Sequence, residues 1–399
     1  GLFGRNFDNG KGNIVLALTY EDDSSISYGE RDWSRDNGID SVEPRANPNG
    51  APPPRAVVSD PRFWLTSNEG SIAPGFSSAS RNTLVVDINN NGIPDCQESE
   101  GGRTTFLAGC WLTNPDGSVR VNQDGIILNG LWEQGGDGGA ISFNRDYLYP
   151  ATDKIVANLN ANYDVSDKLS LFFEGKFVRA ESTTFAEQDT FFDTLFILPD
   201  NAFIPTQLQP VANTFGGLLL TKDPLDFSDN NPSTFTRETY RFVGGLEWEP
   251  IDGHTVEVSA NYGQFTNKSE TTTLYLDRVF AAMDSVIVNG QAVCRSDIDP
   301  TAFYEIDYFT ALNNFANGAF ASNRYYSFTP GDGSCKPLNP FGRYAASEAA
   351  QDFVTANLED ELTIEQTVVS AIANGQFEVL DFLLDGPIGY AAGVEYREE

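Results

Sequence analysis

Apolar and polar side chains alternate with a period of two through much of this chain. From Lys154 to Asp164, one face carries Ile155, Ala157, Leu159, Ala161 and Tyr163, and the other Val156, Asn158, Asn160, Asn162 and Asp164. That rhythm belongs to a strand with two chemically different faces. After a turn at 165–168, Leu169, Leu171, Phe173, Gly175 and Phe177 alternate with Ser170, Phe172, Glu174 and Lys176, which completes a tight hairpin. The pattern recurs in Tyr240, Phe242, Gly244, Leu246 and Trp248, turns at Asp252-Gly253, and returns through Val256, Val258, Ala260 and Tyr262. A third hairpin runs from Glu361 to Phe377, turns at Asp385-Gly386-Pro387 and returns through Ile388, Tyr390, Ala392, Val394 and Tyr396. The expected strands lie at about 13–28, 154–164, 168–180, 239–249, 255–275, 361–379 and 387–398.

The connections between these strands are one-sided. Hairpin partners are joined by a few residues, whereas about 33–151, 186–235 and 277–358 separate one hairpin from the next. Compact soluble domains rarely carry structureless loops beyond ~12–15 residues. Outer-membrane barrels combine short periplasmic turns with long extracellular loops. The expectation is therefore an all-β chain: part of a transmembrane antiparallel β-barrel, about seven strands of a probable 22, with long extracellular loops. Asn158, Asn160, Asn162, Glu174 and Lys176 would face a wet lumen, and Ile155, Leu159, Leu171 and Phe173 would face lipid. Tyr163, Trp248, Tyr262 and Tyr396 fall where an aromatic girdle belongs. The competing reading is a soluble, calcium-stabilised β-sandwich adhesin or lectin, whose strands alternate in the same way but whose loops need not be one-sided.

Bulk properties narrow the function. With 25 Lys+Arg against 57 Asp+Glu, a formal charge of −32 repels nucleic-acid phosphates. The longest apolar runs, at 195–199 and 216–220, are far short of the ~18–20 residues of a membrane helix. Such a test does not see barrel strands, which cross with only ~9–11 alternating residues. The chain opens at Gly1 without a leader and stops after a strand-like segment, as an internal fragment would. Cys96, Cys110, Cys294 and Cys335 lack a CxxC spacing, and their even number in Gly/Asp/Pro-rich surroundings favours disulfides in an oxidising compartment. Three pairings are open, of which nearest-neighbour pairing closes two local loops.

The hairpin ANLNANYDVSDKLSLFFEGKFVR at 157–179 resembles a barrel hairpin of TonB-dependent receptors, as does GPIGYAAGVEYR at 386–397. CKPLNPFG at 335–342, followed by 353–362, is similar to loop-and-strand segments of the large receptors of this group. The resemblance covers most of the chain through a succession of segments rather than one diagnostic motif. It implies a bacterial outer-membrane location with extracellular loops, and a plugged lumen. It also implies TonB-energised uptake of a scarce ligand such as a ferric siderophore, cobalamin or an oligosaccharide. The chain departs from a whole receptor in lacking a recognisable plug, a TonB-contacting segment and a terminating strand.

Asp87-Ile88-Asn89-Asn90-Asn91-Gly92-Ile93-Pro94-Asp95-Cys96-Gln97-Glu98 matches the D-x-[DN]-x-[DN]-G-x5-E calcium-loop pattern. Calcium takes ~6–8 oxygen ligands. Asp87, Asn89 and Asn91 would supply side-chain oxygens, Ile93 its carbonyl, Asp95 a direct or water-borne contact, and Glu98 a closing carboxylate. The strand-like residues 84–86 before the loop and Pro94 near its exit argue against a helix–loop–helix setting. The plain alternative is a surface loop of Asx turns without an ion. A Cys96–Cys110 bridge would brace the loop.

Enzyme signatures are missing. His254 is the only histidine and sits beside a turn, so histidine metal clusters and Ser/His/Asp catalysis are not expected. Acidic pairs such as Glu187/Asp189 and Asp189/Asp193 are what chance supplies among 57 acids. A second candidate site is the set of loop aromatics Trp111, Trp132, Phe191, Phe192, Tyr304, Tyr308, Tyr325 and Tyr326, which could stack on a sugar ring or an aromatic chelator. The bland reading is that they pack the loops together. The acidic loops would also bridge to lipopolysaccharide through divalent cations.

Overall fold

The computed structural model describes residues 1–34, 41–44, 55–75, 85–98, 109–114, 116–127, 132–140, 147–185, 191–223, 232–301, 326–377 and 387–399. Among them the chain is mostly β. Eight antiparallel strands follow one another in an open sheet in strict chain order: β1 (Leu2–Phe7), β2 (Gly12–Asp23), β3 (Ala151–Ser166), β4 (Leu169–Thr184), β5 (Ser233–Ile251), β6 (His254–Leu274), β7 (Thr355–Phe377) and β8 (Ile388–Glu398). Because the strands alternate in direction without a crossover, every short connection lies at one end of the sheet and every long one at the other. Asp252 and Gly253 alone join β5 to β6, with Gly253 at φ +80°, a left-handed value that suits a residue without Cβ.

Within the described residues the expected strands form, with two differences; 378–379 and the expected turn at Asp385-Gly386 lie outside them. The expected lone strand at 13–28 ends at Asp23, and Leu2–Phe7, which lies outside every expected strand, is a strand paired along its length with it. The sheet therefore has eight strands rather than about seven. Several strands also run past their expected ends; β7 is 23 residues long, roughly 75 Å at ~3.3 Å per residue.

Register carries the two faces across the whole sheet. One row reads Tyr163, Leu171, Leu246, Val258, Ala371 and Val394 across six strands. The adjacent row reads Ile14, Ala161, Phe173, Gly244, Ala260, Val369 and Tyr396. On the opposite face, Asn158, Lys176, Arg241, Gly263 and Gln366 are neighbours. The polar face is cross-linked: Arg241 Nε donates to Asn261 Oδ1 at 3.1 Å, Arg237 Nε to Asn267 Oδ1 at 3.2 Å, and Ser259 and Ser370 share a hydroxyl bond at 2.9 Å. Among the described residues no second layer covers the apolar face: Leu171 is 41% exposed, Phe242 46% and Val394 73%.

The buried core lies elsewhere. Segments of all three long connections fold together into a cap beyond the long-loop end. Its five-stranded sheet is ordered Phe191–Ile197, Leu218–Lys222, Ser71–Pro74, Trp111–Thr113 and Val119–Val121, so the first and second long connections share one sheet. Ile72 and Trp111 from the first, Leu195, Leu208, Leu218 and Leu220 from the second, and Val279, Met283, Phe341 and Phe353 from the third form one hydrophobic cluster. The helices Leu276–Met283 and Glu348–Val354 prolong the paired ends of β6 and β7 into this core. Among the described residues no helix is long and apolar enough to cross a membrane.

Candidate functional site

Cys96 bonds to Cys110 with Cα atoms 4.7 Å apart, and Cys294 to Cys335 with Cα atoms 6.1 Å apart. All four sulfurs belong to the cap core. The first bridge joins the candidate calcium loop to the residue before Trp111, and so fastens 87–98 to the five-stranded sheet.

Within the loop, the residues singled out by the motif stand together. Asp87 accepts the Asn91 N–H at 3.2 Å and the Gly92 N–H at 2.9 Å. Asn89 Oδ1 accepts the Asn91 N–H at 3.1 Å, and Asn91 Oδ1 the Ile93 N–H at 2.8 Å. Each bond curls the backbone around the preceding side chain, and Gly92 takes φ +87° at the sharpest point. Glu98 returns from the far end of the loop: Asn89 Nδ2 donates to its two oxygens at 3.0 and 3.2 Å, and Asn91 Nδ2 donates to Oε1. Asp87, Asn89, Asn91 and Glu98 are thus one bonded cluster at the surface.

Asp95 sits beneath them with 0% exposure. Its Oδ2 accepts the Ile88 N–H at 3.0 Å and the Trp111 indole N–H at 2.7 Å, while its Oδ1, equally buried, has no hydrogen-bond partner among the described residues. Burial pushes this carboxyl above the ordinary carboxylate range and the nearby Glu98 and Asp87 charges add to the rise; the N–H bonds from Trp111 and Ile88 pull the other way. Among the described residues no three or more His, Cys, Asp or Glu side chains converge closely enough to hold an ion by themselves. An ion in this loop would have to draw on the Asn89 and Asn91 oxygens and the Ile93 carbonyl as well.

Of the aromatic set, the described side chains of Trp111, Trp132 and Tyr326 each pack on other residues rather than on one another. Trp111 is fully buried and bonded to Asp95, so it is a core residue and not a surface for stacking a ligand. Trp132 stacks on Phe63 with ring centres 4.1 Å apart, and Tyr326 meets Phe328 edge-on at 5.2 Å; both contacts pack the cap internally. Tyr304, Tyr308 and Tyr325 lie outside the described residues, as do the side chains of Phe191 and Phe192. So do Glu187 and Asp189, and the side chain of Asp193.

His254 is not a bare turn residue. It opens β6, its Nδ1 lies 2.9 Å from the Tyr390 hydroxyl, and its ring packs against Phe377 and Tyr390 on the apolar face. Phe7 stacks on Tyr163 at the same end of the sheet. Near the opposite end of the apolar rows, Phe177 packs on Tyr240 at 5.2 Å. Charges begin just beyond: Arg179 pairs with Glu181 at 3.2 Å and Glu238 at 3.6 Å, and Lys268 with Glu270 at 2.6 Å and Glu359 at 3.6 Å. A cleft of about 550 Å³ that sequence alone did not indicate opens at the short-turn end, with Lys11, Asp164, Lys168, Glu247 and Glu249 among its lining residues. No protein-family model matches this chain, and no curated protein matches its sequence.

Proposed function

We propose that this chain supplies wall strands and the extracellular cap of a bacterial outer-membrane receptor of the TonB-dependent kind. Its role is to bind a scarce ligand, a ferric siderophore, cobalamin or an oligosaccharide, and admit it to a plugged lumen. One observation carries the reading: an apolar face that the described residues leave uncovered, with aromatic side chains at both ends, backs onto a polar face on the same strands. From Tyr240 to Trp248 that face covers roughly 26 Å of strand at ~3.3 Å per residue, on the order of the ~25 Å apolar band of a membrane barrel. In water so large an apolar surface is costly; against lipid tails it is at home. Tyr20, Phe177, Tyr240 and Tyr262 would form the outer girdle, and Phe7, Tyr163, Trp248 and Tyr390 the periplasmic one.

The reading requires further strands, because a sheet edge cannot face hydrocarbon with unpaired backbone groups. It also requires a plug to meet the TonB complex, with lipid and lipopolysaccharide as surroundings. The alternative adhesin or lectin needs a second sheet over the apolar face, where the described side chains are exposed. Fractionation of cells making the full-length protein tests the matter. The expected result is recovery in the outer membrane, with a band in unheated detergent that shifts on boiling. Recovery as a water-soluble, monodisperse protein would refute the proposal.

A further inference from the structure

We infer that residues 87–98 form a calcium site whose buried member is Asp95, and that the ion locks the first long connection onto the cap core. The inference stands apart from the membrane reading, since it concerns the cap alone. Two independent observations meet here. The first is a loop of hard oxygen donors gathered at one place: Glu98 accepts from the Asn89 and Asn91 side chains, and Asp87 and Asn89 both accept the Asn91 backbone N–H. The second is the Asp95 carboxylate, withdrawn from solvent with one oxygen satisfied twice and the other not at all.

A buried ionised carboxylate with one of its oxygens left unpartnered is disfavoured. Loops that merely turn have no reason to bury one, since Asn would satisfy Ile88 and Trp111 through its carbonyl without a charge. A divalent cation removes the penalty: it supplies the missing partner to Oδ1 and offsets the repulsion among Asp87, Asp95 and Glu98. Calcium fits better than zinc because the donors are carboxylates, amide oxygens and the Ile93 carbonyl, with no imidazole or thiolate. Cys96 follows Asp95 directly and its sulfur is committed to Cys110. Ion, bridge and Trp111 therefore converge on one corner of the cap.

Trp111 also provides the readout, because its indole is hydrogen-bonded to the proposed ligand and can sensitise terbium bound in calcium's place. The full-length protein, stripped with EGTA, should show saturable terbium emission on tryptophan excitation that calcium displaces. Hydrogen exchange in 85–98 should slow on adding calcium. Asp95→Asn, which leaves Trp111 an acceptor, and Glu98→Gln should each weaken calcium binding at least tenfold. In EGTA, Asp95→Asn should match or exceed the wild type in thermal stability, which a purely structural role for this carboxylate does not predict. Wild-type protein without sensitised emission and without calcium-dependent protection in 85–98 would overturn the inference, whether or not the variants fold. So would variants that keep the cap's exchange protection and bind calcium as tightly as wild type.

Discussion

Arg295 holds a junction between two long connections. Its Nε lies 3.1 Å from both oxygens of Asp284, and its Nη2 donates to Asp200 at 2.7 Å. Asp284 is 7% exposed. Burial raises its carboxyl above the ordinary range, opposed by the charge and hydrogen bonds of Arg295. A carboxyl raised in the native state adds most stability below its unfolded value of ~4, and that contribution is lost as pH climbs through the native value. Removing Arg295 deletes the opposing charge and raises the native value further. Arg295→Ala should therefore cost about 2–3 kcal/mol at neutral pH, less than a fully buried pair because the guanidinium is partly solvated. The deficit relative to wild type should shrink as the pH falls and Asp284 takes up a proton. Exchange protection of 285–298 measures it; a deficit that is constant or grows in acid contradicts the assignment. Sequence alone named neither partner, since 201–283 and 285–294 separate the members of the triad. The same limit left Trp111 open between stacking a ligand and packing the loops: composition gives its chemistry, but only the fold gives its burial.

At the scale of elements, alternation was legible because each long strand has its two faces written in its own residues. The β3–β4 hairpin needs nothing distant to be recognised. The β1 strand lacked that signal: Phe3 and Phe7 share a face with Arg5, and Leu2 faces with Gly4 and Asn6, so neither face is uniform. It is recognisable only beside β2. The two faces make a prediction that separates a lipid-facing sheet from a sheet in water. Phe173→Arg sits in the middle of the apolar rows, and Asn160→Arg on the polar face of the neighbouring strand. Against lipid the first should cost about 2–4 kcal/mol near the midplane and the second little. In water both would be exposed polar substitutions within ~0.5 kcal/mol. The yield of heat-modifiable protein in outer membranes, or unfolding free energy in lipid vesicles, distinguishes the outcomes. Equal effects of the two changes would remove the main support for a membrane face.

For the whole molecule, the cap decides how the protein meets its surroundings. The three long connections looked like separate surface loops because their apolar stretches are short and lack a period of their own; Leu218 to Leu220 is one such run. Their partners, Ile72 on one side and the cluster containing Met283 on the other, come from different connections, so the core exists only once the three meet. If the cap is one cooperative unit, damage in one connection must spread to the others. Leu220 is fully buried between them. Leu220→Ala removes methyl groups and leaves a cavity, worth about 3 kcal/mol for a site of this kind. Opening should become on the order of 100-fold more frequent. A disulfide within the first connection and another within the third still limit how far those two can unravel, so the loosening should appear as faster exchange rather than loss of the cap. Amide exchange should accelerate by similar factors in 71–74, 111–113, 218–222 and 276–283, while 155–163 and 171–177 keep their wild-type rates. Acceleration confined to 218–222 would mean that the three connections are merely adjacent. A concerted change would mean that a ligand bound by one connection is felt by all three.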